Sequence, residues 1–187
     1  AALNLYLTLP GRERAAPRVM AGSHLDSVPE GGNFDGAAGV IAPLAVLAAW
    51  RRAGFVPTRD TTVMAIRAEE SNWFPHSYIG SKAAFGRLPR AVLDSVRSDG
   101  VRTLAQHIDA LGGNAAALAA GTPWLEPRRI ERFLELHIEQ GPVLEDEGVT
   151  IGVVTGVQGI SWTELTISGQ SAHARSEEHT SELQSHH

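Results

Sequence analysis

Residues 22–40, G-S-H-L-D-S-V-P-E-G-G-N-F-D-G-A-A-G-V, constrain the fold most, because they place polar, ligating residue types at a change of secondary structure. The short apolar run of residues 18–21 ahead of them reads as a buried strand, and residues 36–50 behind them read as a helix. His24 and Asp26 then fall just past the carboxyl end of a strand, where open α/β sheets bind ligands. Asp35 falls at the entry of the helix, where exposed N–H groups favour a carboxylate. Taken singly, each residue has a plain reading: Asp35 as an N-cap, His24 as a loop histidine satisfied by the backbone.

The rest of the chain is expected to supply partners to this stretch. Leu3, Leu5, Leu7 and Leu9 alternate as in a strand. Residues 36–53 are apolar nearly all round, which predicts a buried helix closed by Gly54, with Pro43 kinking it or marking its true start. Residues 61–66 are β-branched and apolar, a second buried strand, and run directly into Arg67, Ala68, Glu69 and Glu70. An aromatic loop (72–78) and a short helix (80–86) follow. Residues 90–132 read as helical and peripheral, with Leu104, Ile108 and Leu111 on one face and Gly112-Gly113 as the stop.

A third buried strand is predicted over 133–138 and a fourth over 151–155, followed by an alternating strand over 161–168. Continuous apolar strands separated by helices predict an α/β fold, a mainly parallel sheet with helices on both faces. The alternating strand predicts the start of a second, α+β domain. Residues 175–187 lack apolar periodicity, read as an appended, non-native tail, and are set aside.

Composition narrows the partners. A length of 187 residues allows one sizeable core, or one domain and the start of another. The most apolar run, 36–50, is shorter than the roughly 18–20 residues that span a bilayer, so a soluble, cytoplasmic protein without membrane contact is expected. A net charge of −5 without a basic block argues against nucleic acid. The absence of Cys excludes disulfides and thiolate metal sites.

Three predicted parallel strands end in His24-x-Asp26, in Glu69-Glu70 and in His137, and Asp35 opens the helix behind the first. All therefore share one sheet edge. Adjacent carboxylates in a dry crevice repel unless a cation compensates them. Two histidines, at least three carboxylates and no thiolate suit Zn, Mn, Co or Ni.

These residues also carry a family resemblance. The segment 22–40 with A-E-E-S-N-W-F, E-L-H-I-E-Q-G-P-V-L-E and S-A-H-A resembles the dinuclear metallohydrolases of the aminoacylase and carboxypeptidase type. More narrowly it is similar to the branch of N-carbamoyl-L-amino acid hydrolase, allantoate amidohydrolase and β-ureidopropionase, and H-I-E-Q-G narrows it. The resemblance covers residues 1–174 and implies a fragment lacking both ends. It implies a zinc-exopeptidase-like catalytic domain over 1–159 and the start of a lid and dimerisation domain over 160–174.

Residue by residue, the resemblance implies that Asp35 bridges two divalent transition-metal ions, that His24 and His137 complete one, and that Glu70 binds the other. Glu69 would be the general base. Asp26 would be the carboxylate that orients the His24 imidazole. Gln140 would contact substrate, and His173 in the lid would reach the site of a neighbouring subunit in a homodimer. The implied activity is hydrolysis of the ureido C–N bond of N-carbamoyl amino acids or allantoate, releasing ammonia and carbon dioxide. An aminoacylase or dipeptidase acting on an amide is the near alternative, and a non-catalytic metal-binding or dimerisation module the distant one. Arg175 stands where the family usually has a Gly, and the later residues of the pattern, a further metal-ligating His among them, are missing. His179, His186 and His187 lie in the tail and are not put in that ligand's place. A sheet lacking its later covering elements is expected to leave apolar surface exposed.

Overall fold

A computed structural model describes residues 1–157, and beyond them residues 159, 161, 163, 165, 166, 168 and 169. Residues 1–142 form one compact unit and residues 143–187 a second.

The first unit is built on a four-stranded sheet. In chain order its strands are β1 (Leu5–Leu9), β2 (Arg18–His24), β3 (Thr61–Ile66) and β4 (Ile130–Leu134), and their spatial order is β1-β3-β2-β4. β3 and β4 run parallel to β2, while β1 pairs antiparallel with β3. The sheet is thus mixed, parallel in two of its three pairings with one antiparallel edge. The uninterrupted apolar strands take the central places, where both faces are covered: β3 is buried at four successive positions. Alternating β1 takes an edge.

Helices cover both faces. The helix α1 (Ala37–Arg52) packs on β2 and β3. On the opposite face Met20 and Met64 meet Leu125 and Ala84, the last residue of α2 (Ile79–Ala84). α1 ends as expected. Gly54 adopts φ 67° and donates to the Arg51 carbonyl while Phe55 N–H bonds the Trp50 carbonyl, with the Trp50 and Phe55 rings 5.0 Å apart. Pro43, however, neither starts nor ends the helix, which runs through it. Nor is α1 buried all round: Gly39, Val40 and Leu47 are buried, whereas Ile41 is 60% exposed, because the sheet covers one stripe of the helix.

The stretch expected to be peripheral holds the larger core. After a 3₁₀ turn (Arg90–Asp94), α3 (Leu104–Ala110) and α4 (Ala115–Ala119) bury Leu93, Leu104, Ile108 and Leu118 against Phe74 and Ile79. Thr103 and Gln106 form a capping box at the start of α3. Leu111 falls off that face and is exposed, since it sits at the C-cap.

Two strand expectations need correcting. The third strand lies at Ile130–Leu134 rather than 133–138, and it is exposed apart from its first residue, because it pairs with β2 on one side only. Residues 151–155 are not a strand: Ile151 and Val153 are exposed, with no neighbour among the described residues to take the backbone hydrogen bonds. In the second unit the described secondary structure is one short helix, α5 (Val143–Asp146). Of the alternating strand expected over 161–168, residues 161, 163, 165, 166 and 168 are described and none of them lies in a strand, while the other three fall outside the described residues. As anticipated, apolar side chains stay uncovered in the first unit, Leu5, Leu7 and Leu134 among them.

Candidate metal centre

Strand register brings the ligands together. His24 is level with Ile66 in the parallel β2–β3 pair, so the chain leaves both strands at the same edge, into Asp26 on one side and Glu69-Glu70 on the other. β4 pairs Leu134 with Ala21, and three residues further along each chain stand His137 and His24. Asp35 reaches the same point from the start of α1.

Asp35 is not an N-cap. That place belongs to Gly36, at φ 61°, and no side chain caps the helix. A Cβ on Gly36 would overlap the His24 ring, so glycine is required there by both conformation and space. The Asp35 carboxylate is thereby free to face the histidines. His137 Nε2 lies 3.2 Å from Asp35 Oδ1, His24 Nε2 lies 3.8 Å from it, and the two Nε2 atoms are 3.4 Å apart. His24 and Asp35 are 3% and 5% exposed.

The tautomers follow from the partners. His24 Nδ1 is 2.5 Å from the Asp26 carbonyl and His137 Nδ1 is 2.9 Å from the Ile138 carbonyl. A carbonyl only accepts, so each Nδ1 carries a proton, and in the neutral ring each Nε2 turns a lone pair toward Asp35. Two lone pairs and a buried carboxylate oxygen at these distances repel unless a cation lies among them. Asp35 Oδ1 is, among the described residues, the one buried side-chain oxygen or nitrogen with no hydrogen-bond partner. Bonds of 2.0–2.1 Å to a tetrahedral zinc would set ligand atoms about 3.3 Å apart. The donor set and its spacing therefore fit a divalent transition metal.

A second group, His24 with Glu69 and Glu70, adjoins the first through the shared imidazole, with His24 Nε2 3.9 Å from Glu69 Oε2. Burial pushes the pKa of Glu69 up; the carboxylates of Glu70, Asp26 and Glu135 add to the rise and His24 opposes it. Burial likewise raises Glu70, with Asp35 and Asp26 adding and His24 opposing. A cation would stabilise both charged forms.

Asp26 serves this cluster differently from expectation. Its carboxylate does not orient the imidazole; its backbone carbonyl does. The carboxylate instead accepts the N–H groups of Glu69 at 3.2 Å and Glu70 at 3.0 Å. Those donors are presented by a tight turn in which Ala68 takes φ 51°. The tie from Asp26 thus fixes the base candidate and the ligand candidate together, and the sequence spacing alone could not show which oxygen faced the ring.

Of the residues singled out in the sequence, His24, Asp35, His137, Glu69 and Glu70 converge, and Asp26 braces them. Gln140 does not join them: it is exposed in the loop after His137, without a hydrogen bond to the cluster among the described residues. His173 lies outside the described residues. Gly36 and Ser23 were missed, although the run of small residues around His24 and Asp35 was a signal of close backbone approach.

Residues 20–186 match Peptidase family M20/M25/M40, and the chain belongs to that family. It is 38% identical over 174 residues to an N-carbamoyl-L-amino acid amidohydrolase of Geobacillus stearothermophilus, covering 93% of this chain and 42% of that protein. It is also 38% identical over 173 residues to an allantoate amidohydrolase of Escherichia coli (strain K12), covering 91% of this chain and 41% of the relative. A crystal structure of a hydantoinase/carbamoylase family amidase from Burkholderia ambifaria superposes with a TM-score of 0.71 at 38% identity, covering 83% of this chain and 36% of that one. The chain thus spans about two fifths of the length of the relatives it matches. Among the described residues no helix is long and apolar enough to cross a membrane.

Proposed function

We propose that the protein is a metal-dependent amidohydrolase that cleaves the ureido C–N bond of N-carbamoyl amino acids or related ureido acids such as allantoate. The observation that carries this reading is the unpartnered, buried Asp35 Oδ1 facing two imidazole lone pairs, with Glu69 alongside. His24, Asp35 and His137 would hold one ion, and Glu70 with Asp35 a second, with Zn, Mn, Co and Ni all suited to the donors. When bound, such ions acidify a water and polarise a carbonyl.

The chain's own part is proton handling and placement. Glu69, with its raised pKa, takes a proton from the attacking water at its carboxylate and later gives it to the leaving nitrogen. The water oxygen bonds to the ureido carbon, the C–N bond breaks, and the resulting carbamate decays to ammonia and carbon dioxide. Asp26 holds the Glu69 backbone where that transfer can occur. Gln140 would contact the substrate, and His173 would help hold the developing oxyanion in a homodimer of cytoplasmic location.

Turnover of N-carbamoyl amino acids, with N-acetyl amino acids and dipeptides tested in parallel, checks the reading. Preference for the ureido substrates is expected. Preference for the amides would support instead an aminoacylase or peptidase, which the family's description favours. No turnover of any of them by the metal-loaded full-length protein would leave only a metal-binding module.

A further inference from the structure

We propose that Ser23 and Glu135 form a positioning lock for His137, a hydrogen bond that fixes where this imidazole stands over Asp35. The inference rests on reading His24, Asp35 and His137 as a metal-holding group. The β2–β4 ladder ends at Leu134, and His137 lies beyond it on an exposed segment. A ligand on such a segment needs another tether. Ser23 Oγ donates to Glu135 Oε1 at 2.5 Å, joining β2 at the residue before His24 to the residue two before His137.

The donor is rigid. Ser23 is fully buried at 0% exposure within β2, where an unpaired hydroxyl would be costly and an apolar side chain would pack as well. The acceptor is a carboxylate, which makes the bond charge-assisted and stronger than a neutral pair. α1 closes on the same junction: a Cβ on Gly39 would overlap both the Leu136 carbonyl and Ser23 Cβ. Ser23 therefore sits among the segments carrying all three ligands: it precedes His24, bonds the approach to His137, and touches the helix that Asp35 introduces. Glu135 belongs to neither ligand group found among the described residues. It acts through His137.

The test measures zinc affinity of the metal-free protein by competition with a chelator, zinc being the only probe. Ser23→Ala and Glu135→Ala are expected to weaken binding about 10- to 100-fold, as outer-shell partners of metal ligands do. Glu135→Gln keeps an acceptor oxygen for the Ser23 hydroxyl and is expected to stay close to the unaltered protein. In a His137→Ala background, Glu135→Ala is expected to add nothing, since the residue it positions is gone.

Unchanged affinity in Glu135→Ala would overturn the lock. So would a Glu135→Gln protein as weak as Glu135→Ala, which would assign the effect to charge, or losses that simply add in the His137→Ala background, which would assign it to general destabilisation. Absence of ureido turnover by the full-length protein with this affinity pattern intact would sink the hydrolase reading and leave the lock standing. A protein that binds no zinc would overturn the metal-holding group and the lock together.

Discussion

His24 and Asp35 are 3% and 5% exposed inside the junction of β2 with α1, whereas the His137 side chain is 31% exposed on a segment that has already left the sheet. The first pair is held by a fully buried strand end and by a glycine that admits the imidazole. His137 is held by a carbonyl contact, by its approach to Asp35 and by the Ser23–Glu135 bond. One half of the centre is therefore preorganised by the core, and the other is assembled against it. Metal affinity should depend on both, but the fold should depend mainly on the first.

The hardest test of that contrast is Asp35→Ala. It removes the oxygen on which both imidazoles converge, so bound metal, and in the full-length protein activity, are expected to disappear, as metal analysis after dialysis and an assay would show. Retention of metal by this variant would break the assignment of the buried half. Glu69→Gln probes the neighbouring chemistry without touching the first ligand group. A fall in kcat of about 10²- to 10⁴-fold is expected, the usual worth of a general acid–base, with metal content unchanged.

Glycine substitutions sharpen the comparison between the two halves. Gly36→Ala is expected to cost about 1–3 kcal/mol for the positive-φ backbone alone, and more from overlap with His24, visible as a lowered melting temperature. Gly141→Ala, in the exposed loop with no atom nearer than 3.8 Å, is expected to shift stability by no more than about 0.5 kcal/mol. Equal effects at both positions would erase the distinction.

The smallest expected effect is on pH. Glu69 and Glu70 titrate above their ordinary value of 4.5 in the metal-free fold. The folded state then keeps protons that the unfolded chain has released, so these groups lower stability as pH rises from 4.5 towards neutrality. Melting of chelator-treated protein should show this slope, and replacing both glutamates by Gln should flatten it. Zinc at neutral pH should reverse the loss. An unchanged slope in the double variant would assign the pH dependence to other groups.

The buried half was also the legible half. β3 read correctly as an uninterrupted apolar strand because a central strand is covered on both faces, and Gly54 marked the end of α1; β2 was recognised over 18–21 but runs three residues further, so that His24 is its last residue rather than lying past its end. The edge was harder. Glu131 and Arg132 point β4 away from a buried-strand pattern, so its start was taken for helix, and the apolar residues of 151–155 imitate a strand without a partner to pair with. Ligand identity could be read from residue type at strand ends, since a strand's end fixes where the next side chains go. The role of the Asp26 carboxylate could not, because it depends on a turn at Ala68 whose positive φ no residue type signals.

Cobalt titration of the metal-free protein, followed through the visible d–d bands, tests most directly whether His24, Asp35 and His137 hold a divalent ion. A saturable band is expected from the unaltered protein, weakened by His137→Ala and absent in Asp35→Ala. No saturable band, or the same band in Asp35→Ala, would contradict the account.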